Sequence, residues 1–206
     1  MAKLITINDI DQAVKSLKNG GIVAFLTDTV YGLSCRIDDE KLQKRMKEVK
    51  GRDKSKPFPV VISSIEQCEK LVALNDRDRL LIKHFWPGEI TFIFNKRDDV
   101  DGYISNYKST MALRMLSDPV IFEMIKEVEC PLFLTSANLS NEPVCTSGQE
   151  VMDRIGDKID IVIDGKPNGN VASTILDCSN ENLKIIRQGK ITIEDINKIL
   201  KEGGLL

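Results

Sequence analysis

Short apolar runs alternate with amphipathic segments along almost the whole chain, and this alternation limits the possible folds more than any other feature. Residues 22–26 and 90–94 are short runs of branched and aromatic side chains bounded by glycine or polar residues, which is typical of buried strands. Between such runs, segments such as 39–49 place apolar residues at helical spacing. A chain with this order of elements builds a sheet flanked by helices. We therefore predict an α/β fold with an open, twisted, mixed sheet.

The predicted elements cover most of the chain and leave one long polar connection. Helices are predicted over residues 10–18, 39–49, 64–73, 76–85, 118–128, 147–155 and 194–201. Strands are predicted over residues 22–26, 58–62, 90–94, 111–115, 132–134, 160–163, 174–176 and 184–186. We expect Asn8 to cap the first helix and Thr192 to cap the last. No domain boundary is visible, so we predict a single domain over residues 1–206, with the 96–109 loop and the chain after Arg187 as candidate lids.

Charge and hydropathy exclude several classes of protein. The 31 acidic and 29 basic residues nearly cancel, so the chain as a whole is not an electrostatic nucleic-acid binder. The N-terminus lacks the pattern of a signal peptide, and no apolar run approaches the roughly 18 residues of a membrane span. We therefore expect a cytoplasmic protein that makes no membrane contact.

Histidine and cysteine usage narrows the chemistry further. The chain has one histidine, His84, which excludes a site that needs several histidine ligands. It also has five widely spaced cysteines and no C-x-x-C pair, which argues against both a disulfide framework and a zinc site. We predict that the cysteines are buried free thiols and that no protein-bound metal site is present.

A dense cationic segment follows the predicted helix over residues 39–49. It contains Lys50, Arg52 and Lys56, and Gly51 and Pro57 favour a turn there. The planar fork of an arginine suits phosphate oxygens, and a lysine adds a compact charge. These residues predict a polyanion site, although a solvated basic loop explains the same pattern.

Polar side chains also stand where predicted strands end. Ser136 and Asn138 follow the strand over 132–134, and ligands bind at such strand ends in open α/β sheets. Thr29 and Tyr31 stand in a similar position after the strand over 22–26, where a plain turn is an equal alternative. Arg114 ends an otherwise apolar strand, where it predicts either a clamp for a carboxylate or an internal ion pair.

Taken in order, these segments resemble one protein family. The segments are Thr27-Asp28-Thr29-Val30-Tyr31-Gly32-Leu33, Lys50-Gly51-Arg52, Trp86-Pro87-Gly88, Ala112-Leu113-Arg114, Thr135-Ser136-Ala137-Asn138-Leu139-Ser140, Ser173-Thr174 and Arg187-Gln188-Gly189. They resemble the YrdC/Sua5 family of L-threonylcarbamoyladenylate synthases over about residues 8 to 190. The resemblance implies a YrdC-like, DHBP-synthase-like fold around a large concave basic cavity. It also implies the short form, a single domain without the C-terminal Sua5 domain.

The resemblance implies a reaction and a set of site residues. In that reaction, L-threonine, bicarbonate and ATP with Mg²⁺ give threonylcarbamoyl-AMP and pyrophosphate, and partner proteins transfer the product's threonylcarbamoyl group to form t6A in tRNA. By resemblance, the nucleotide would bind to Lys50, Arg52, Lys56, Thr110, Ser136, Asn138 and Arg187, of which Lys50 and Arg52 would be catalytic. Threonine would bind to Thr29, Arg114 and Ser173, and Tyr31 would wall its pocket. The chain departs from the family pattern at Leu26, around Lys56, at Val61 and at Val144.

Two alternatives remain open from the sequence. The first is a non-enzymatic module that binds tRNA or double-stranded RNA, with counterion release as its driving force. Its cations would be Lys50, Arg52, Lys54, Lys56 and Arg114. The low aromatic content of 5% argues against it, because stacking platforms for bases are scarce. The second is a YrdC-like carbamoyl-transfer domain of the hydrogenase-maturation type. The chain lacks the acylphosphatase-like and zinc-finger segments of that type.

Overall fold

The computed structural model describes residues 1–53, 55–165 and 172–205. In these residues a ten-stranded sheet has the strand order β1-β8-β2-β3-β7-β4-β6-β5-β9-β10. The strands are β1 Lys3–Ile5, β2 Val23–Leu26, β3 Tyr31–Arg36, β4 Val60–Val61, β5 Ile90–Asn95, β6 Thr110–Arg114, β7 Leu132–Ser136, β8 Ile161–Ile163, β9 Thr174–Asp177 and β10 Lys184–Arg187. The helices are α1 Ile10–Lys18, α2 Glu40–Lys50, α3 Ile65–Leu71, α4 Asp76–Phe85, α5 Pro119–Val128, α6 Gly148–Ile155 and α7 Ile193–Glu202.

The sheet is mixed, as predicted. Strands β4 and β6 pair in parallel, as do β5 and β9, β2 and β8, and β1 and β8. The remaining pairs are antiparallel, including β3 with β7 and β5 with β6. Strand β4 lies between β6 and β7, so residues from distant parts of the chain meet in the middle of the sheet.

Most predicted elements are confirmed, and two strands were missed. β1 is only three residues long, and β3 lies in the segment that the sequence analysis treated partly as a turn. Neighbouring strands explain β3: Gly32 pairs with Ser136, and the Ser34 hydroxyl donates to the carbonyl oxygen of Phe133. Propensity alone disfavours glycine in a strand, so the tertiary pairing decides this element.

The helix caps partly follow the predictions. Thr192 caps α7 in a capping box with Asp195, as expected for the last helix. The prediction that Asn8 caps the first helix is wrong, because a 3-10 turn over Ile7–Asp9 precedes α1 and places Asp9 at the N-cap. Asp9 makes no side-chain capping bond; its carboxylate instead accepts hydrogen bonds from Thr6 and Gln12.

The core lies between the sheet and its flanking helices. Phe25, Phe92, Phe94 and Phe133 are fully buried in it, and Trp86 packs its ring edge-on against Phe92. All five cysteines are buried free thiols, which confirms that prediction. Their burial in apolar surroundings keeps the thiols protonated; the pKa of Cys68, for example, rises to about 12.

The two segments considered as lids are packed against helices. In the 96–109 segment, the Tyr103 hydroxyl donates to the carbonyl oxygen of Ile37 at 2.9 Å, and the Gln43 side chain of α2 donates to the carbonyl oxygen of Tyr103. After Arg187, helix α7 packs against α4 and buries Ile196. Within the described ranges, no helix has the length and hydropathy needed to cross a bilayer.

Candidate functional site

One face of the sheet forms a cavity of about 340 Å³, here called the sheet cavity. Six neighbouring strands each contribute a side chain or glycine to its wall. These are Gly32 in β3, Leu134 in β7, Val61 in β4, Arg114 in β6, Thr91 in β5 and Ile175 in β9. Successive side chains of a strand point to opposite faces, so their neighbours Phe133, Val60, Leu113 and Phe92 are buried in the core. The sheet register therefore assembles the cavity.

A second cavity, here called the loop cavity, adjoins the first and measures about 380 Å³. Its wall contains the three cations Lys50, Arg52 and Lys56, together with Ser136, Asn138 and the carboxylate of Asp53. Arg52 and Ser136 line both cavities. The structure therefore brings the cationic segment and the end of β7 together, as the sequence analysis predicted.

Lys50 is the last residue of α2 and is only 2% exposed. Its ammonium donates to the carbonyl oxygens of Ser136 and Asn138 and, at 3.3 Å, to the side-chain oxygen of Asn138. These three acceptors match the three N–H donors of a lysine. Burial, with the nearby charge of Arg52, lowers the pKa of Lys50 to about 8. Lys50 therefore organises the chain after β7 in addition to placing positive charge in the loop cavity.

Arg52 follows a sharp turn at Gly51, whose φ of 55° ends α2 in the left-handed region. The Arg52 guanidinium lies 5.0 Å from the centre of the Phe58 ring, and its Nη2 donates to the carbonyl oxygen of Pro57 at 2.9 Å. These contacts fix the plane of the guanidinium and leave Nη1 without a partner among the described residues. Lys56 is exposed on the same wall.

Ser136 and Asn138 differ in what they leave free. Asn138 is 6% exposed, and its amide nitrogen donates to the carbonyl oxygens of Leu139 and Glu142 while its oxygen accepts from Lys50. Its polar atoms are therefore used within its own loop. The Ser136 hydroxyl makes no hydrogen bond within the described part of the chain, so it stands available at the junction of the two cavities.

Arg114 is buried at the end of β6 and forms an internal ion pair with Asp28, with 2.6 Å between Nη2 and Oδ1. Its Nε donates to the carbonyl oxygen of Gly88, and its Nη1 lies 3.4 Å from the Thr29 hydroxyl. Arginine has five N–H donors, so one donor on each terminal nitrogen remains unused. Burial lowers the pKa of Arg114, and the charge of Asp28 counters that effect. Thr29 and Arg114 both line the sheet cavity.

Ser173 and Arg187 meet at the other side of the sheet cavity. Two nitrogens of Arg187 donate to the carbonyl oxygen of Ser173 at 3.0 and 2.9 Å. The Ser173 hydroxyl lies 3.1 Å from that of Thr91 and accepts from Arg187. Gly189 allows this approach, because a Cβ there would lie 2.4 Å from the backbone nitrogen of Thr174.

The structure does not bring Tyr31 and Thr110 into the candidate site. Tyr31 is fully buried on the opposite face from Gly32, and its hydroxyl donates to the carbonyl oxygen of Gly165 at 2.7 Å. Burial raises the pKa of this phenol to about 12. Thr110 pairs with Asn95 at the start of β6, four residues before Arg114 and therefore about 13 Å away along the strand. Neither residue lines either cavity.

Sequence reasoning missed two contributors to the site. Thr91 lines the sheet cavity and carries a hydroxyl group within an apolar run of residues. This contrast with its neighbours is the sequence signal that could have indicated its role. Asp28 was noticed only as part of a polar turn; its pairing with Arg114 connects residues 86 apart in sequence. Among the described residues, no group of three or more His, Cys, Asp or Glu side chains is arranged to hold a metal ion.

Comparison with known proteins identifies the family to which the chain belongs. The family model Sua5_yciO_yrdC, described as telomere recombination, matches residues 15–189. Two proteins named threonylcarbamoyl-AMP synthase are similar to the chain. The one from Pyrococcus abyssi is 35% identical over 90% of this chain and 55% of its own length. The one from Bacillus subtilis is 34% identical over 95% of this chain and 58% of its own length.

A solved structure agrees with this result. The crystal structure of Pyrococcus abyssi Sua5 complexed with L-threonine is 32% identical to the chain and matches it with a TM-score of 0.90. The match covers 98% of this chain and 62% of that one. The chain thus spans between half and two thirds of the length of these three relatives. By the family model and by these identities, the chain belongs to the Sua5/YciO/YrdC family.

Proposed function

We propose that this protein synthesises L-threonylcarbamoyl-AMP from L-threonine, bicarbonate and ATP, with release of pyrophosphate. The observation that carries the proposal is the junction of two cavities at Arg52 and Ser136. One cavity suits a small amino acid and the other a polyphosphate. The names of the relatives and the L-threonine in the Pyrococcus abyssi structure support the same reaction.

The sheet cavity is the proposed threonine site. Arg114 retains one N–H on each terminal nitrogen, which suits the two oxygens of a carboxylate. The hydroxyls of Thr29, Thr91 and Ser173 stand around the same space and suit the amine and hydroxyl of threonine. At 340 Å³ the cavity matches the lower end of small-molecule sites, which begin at about 300 Å³.

The loop cavity is the proposed site of the ATP phosphates. Arg52 and Lys56 are the cations on its wall that keep unused donors, and Ser136 offers a free hydroxyl at its inner end. Lys50 and Asn138 shape the wall through their own hydrogen bonds, and Lys50 adds positive charge. Arg187 lines the sheet cavity, where it would approach the nucleotide from the other side.

The reaction needs no protein nucleophile. The threonine amine attacks the carbon of bicarbonate, and loss of water gives a carbamate. A carbamate oxygen then attacks the α-phosphorus of ATP, and pyrophosphate leaves. The protein's contribution is to position the two substrates and to neutralise the phosphate charge with Arg52 and Lys56.

We propose that Mg²⁺ enters with ATP. Among the described residues, no group of three or more His, Cys, Asp or Glu side chains is arranged to hold the ion, so the phosphates would supply its anionic ligands. When bound, the ion offsets part of the charge on the leaving pyrophosphate. We also propose that partner proteins carry the threonylcarbamoyl group on to tRNA.

The RNA-binding alternative is less well supported. Two of its cations, Lys50 and Arg114, are 2% and 5% exposed and are used in internal hydrogen bonds. A third, Lys54, lies outside the described residues. A phosphate backbone binds cations that stand on the surface, where they release counterions.

The test is pyrophosphate release from ATP by the purified chain, with and without bicarbonate and with each amino acid in turn. We expect release that requires both bicarbonate and L-threonine. The variant Arg52→Ala should abolish release, whereas Arg97→Ala removes an exposed arginine that pairs with Asp99 outside both cavities and should leave it unchanged. Release without threonine, or no release from folded protein, would refute the proposal.

A further inference from the structure

The ion pair between Asp28 and Arg114 has a feature that substrate binding alone does not explain. Both side chains are almost fully buried, with 10% and 6% exposed, and Arg114 lines the sheet cavity. Asp28 uses both carboxylate oxygens. Oδ1 accepts from Arg114, and Oδ2 accepts from the backbone N–H and the hydroxyl of Ser117 at 3.2 and 2.7 Å.

These bonds hold Arg114 from three directions. The carbonyl oxygen of Gly88 accepts from Nε, the hydroxyl of Thr29 accepts from Nη1, and Oδ1 of Asp28 accepts from Nη2. The guanidinium is planar, so three contacts at three different nitrogens determine both its position and its rotation. The two remaining donors then form a fixed pair on separate terminal nitrogens.

Asp28 also connects two parts of the chain. It follows β2, while Ser117 stands three residues after Arg114 in the connection that leads to α5. The carboxylate therefore joins the turn that carries Thr29 to the chain that leaves β6. The relative position of Thr29 and Arg114, which both line the sheet cavity, therefore depends on the Asp28 side chain.

We propose that Asp28 is a positioning residue, which fixes Arg114 so that its two free donors form a bidentate site for a carboxylate. This inference deepens the proposed function and rests on it, because the carboxylate is that of threonine. Asp28 does not touch the substrate in this scheme. Its effect reaches threonine through Arg114 and leaves the loop cavity unchanged.

If Asp28 only neutralises the charge of Arg114, the expected change in threonine affinity is the opposite. A buried arginine without a partner attracts any anion more strongly, so a role in charge neutralisation alone predicts tighter threonine binding when Asp28 loses its charge. A positioning role predicts weaker binding. The isosteric variant Asp28→Asn separates the two, because its amide group places a donor against either Arg114 or Ser117 and so turns the guanidinium.

The experiment compares steady-state kinetics and calorimetric L-threonine binding for the wild type and three variants. For Asp28→Asn we expect the KM and Kd for threonine to rise about 10- to 100-fold, which corresponds to losing one charged hydrogen bond in the site. The KM for ATP should change less than about twofold, since Asp28 does not line the loop cavity, where the phosphates are proposed to bind. The preference for L-threonine over L-threoninamide should also fall, because that preference depends on the bidentate pair.

Two further variants serve as a partial-loss variant and as a control. Ser117→Ala removes only one bond to Asp28 and should raise the threonine KM by a smaller factor in a protein that folds normally. Asp38→Asn removes the carboxylate of a more exposed aspartate–arginine pair with Arg36, outside both cavities, and should leave both KM values unchanged.

Unchanged or tighter threonine binding in Asp28→Asn would overturn the positioning role, as would equal losses for threonine and ATP. A wild type that binds threonine but releases no pyrophosphate would refute the proposed reaction. The threonine Kd of Asp28→Asn would then still test the positioning role. A wild type that binds no threonine would refute both.

Discussion

Lys50 donates a hydrogen bond of 2.8 Å from its Nζ to the carbonyl oxygen of Asn138, a residue 88 positions away in sequence. The same ammonium also donates to the side chain of Asn138 and to the carbonyl oxygen of Ser136. The end of α2 thereby holds the chain that leaves β7. Since Ser136 is the last residue of β7, these bonds link the cationic segment to the junction of the two cavities.

Replacing Lys50 by methionine should destabilise the protein. The variant keeps most of the side-chain volume but removes the Lys50 donor from the carbonyl and side-chain oxygens of the buried Asn138; the carbonyl oxygen of Ser136 keeps only the backbone N–H of Asn138. We expect the free energy of unfolding to fall by about 2 kcal/mol, a typical penalty for buried polar groups that lose a partner. Urea denaturation measures the change.

Lys56→Met is the matched control for this variant. Lys56 lines the same cavity but is exposed and donates no side-chain hydrogen bond within the described residues. Its replacement should change the unfolding free energy by less than about 0.5 kcal/mol. Equal stability changes in the two variants would contradict the role given to Lys50.

Nucleotide affinity should depend on pH through Lys50. Burial and the charge of Arg52 lower its pKa to about 8, below the ordinary lysine value of 10.5. As the pH rises through about 8, the ammonium loses its proton, so the positive charge beside the proposed phosphate site falls. We therefore expect the Kd for ATP to increase between about pH 7 and pH 9.

The Lys50→Arg variant tests whether Lys50 is the titrating group. An arginine stays charged throughout this pH range, so the increase in the Kd for ATP should largely disappear. The measurement is calorimetric or fluorescence titration of ATP at several pH values for both proteins. The same pH dependence in wild type and Lys50→Arg would assign the effect to another group.

Gly189→Ala should damage the proposed threonine site. The added Cβ would lie 2.4 Å from the nitrogen of Thr174 and 2.6 Å from the carbonyl oxygen of Ala172, which are backbone atoms with little freedom to move. The segment that carries Ser173 must shift, so we expect the threonine KM to rise about tenfold and the unfolding free energy to fall by about 1–3 kcal/mol.

Gly165→Ala serves as the control for Gly189→Ala. A Cβ at Gly165 would meet its nearest neighbour, a side-chain carbon of Leu26, at 3.4 Å, which is close to ordinary van der Waals contact. Both kinetics and urea denaturation should then remain near the wild-type values. A Gly189→Ala protein with wild-type threonine KM would show that the 172–174 segment tolerates displacement.

Several parts of the site could be predicted from local patterns. The order of strands and helices follows from hydrophobic periodicity, so the positions of Arg114 and Ser136 at strand ends were predicted correctly. The cation-rich turn after α2 was predicted from composition and from Gly51, whose left-handed conformation ends the helix.

Other parts depend on partners that are distant in sequence. Tyr31 was predicted to wall the threonine pocket, but in β3 it faces away from Gly32 into the core and donates to Gly165. Thr110 was predicted on the nucleotide side, but it stands at the start of β6, at the opposite end from Arg114. A one-residue change of register reverses the face of every side chain in a strand, and register is decided by neighbouring strands.

The sequence by itself therefore determined all seven helices and eight of the ten strands in the described residues, the polar residues at their ends and the location of the cationic turn. Each of these depends on residues within a few positions of one another. The tertiary structure alone decided that β4 lies between β6 and β7, that Asp28 pairs with Arg114 and that Lys50 uses its donors on the chain after β7. Buried polar groups must find partners wherever the folded chain provides them; the partner of Lys50 stands 88 residues away, and that of Tyr31 stands 134 residues away.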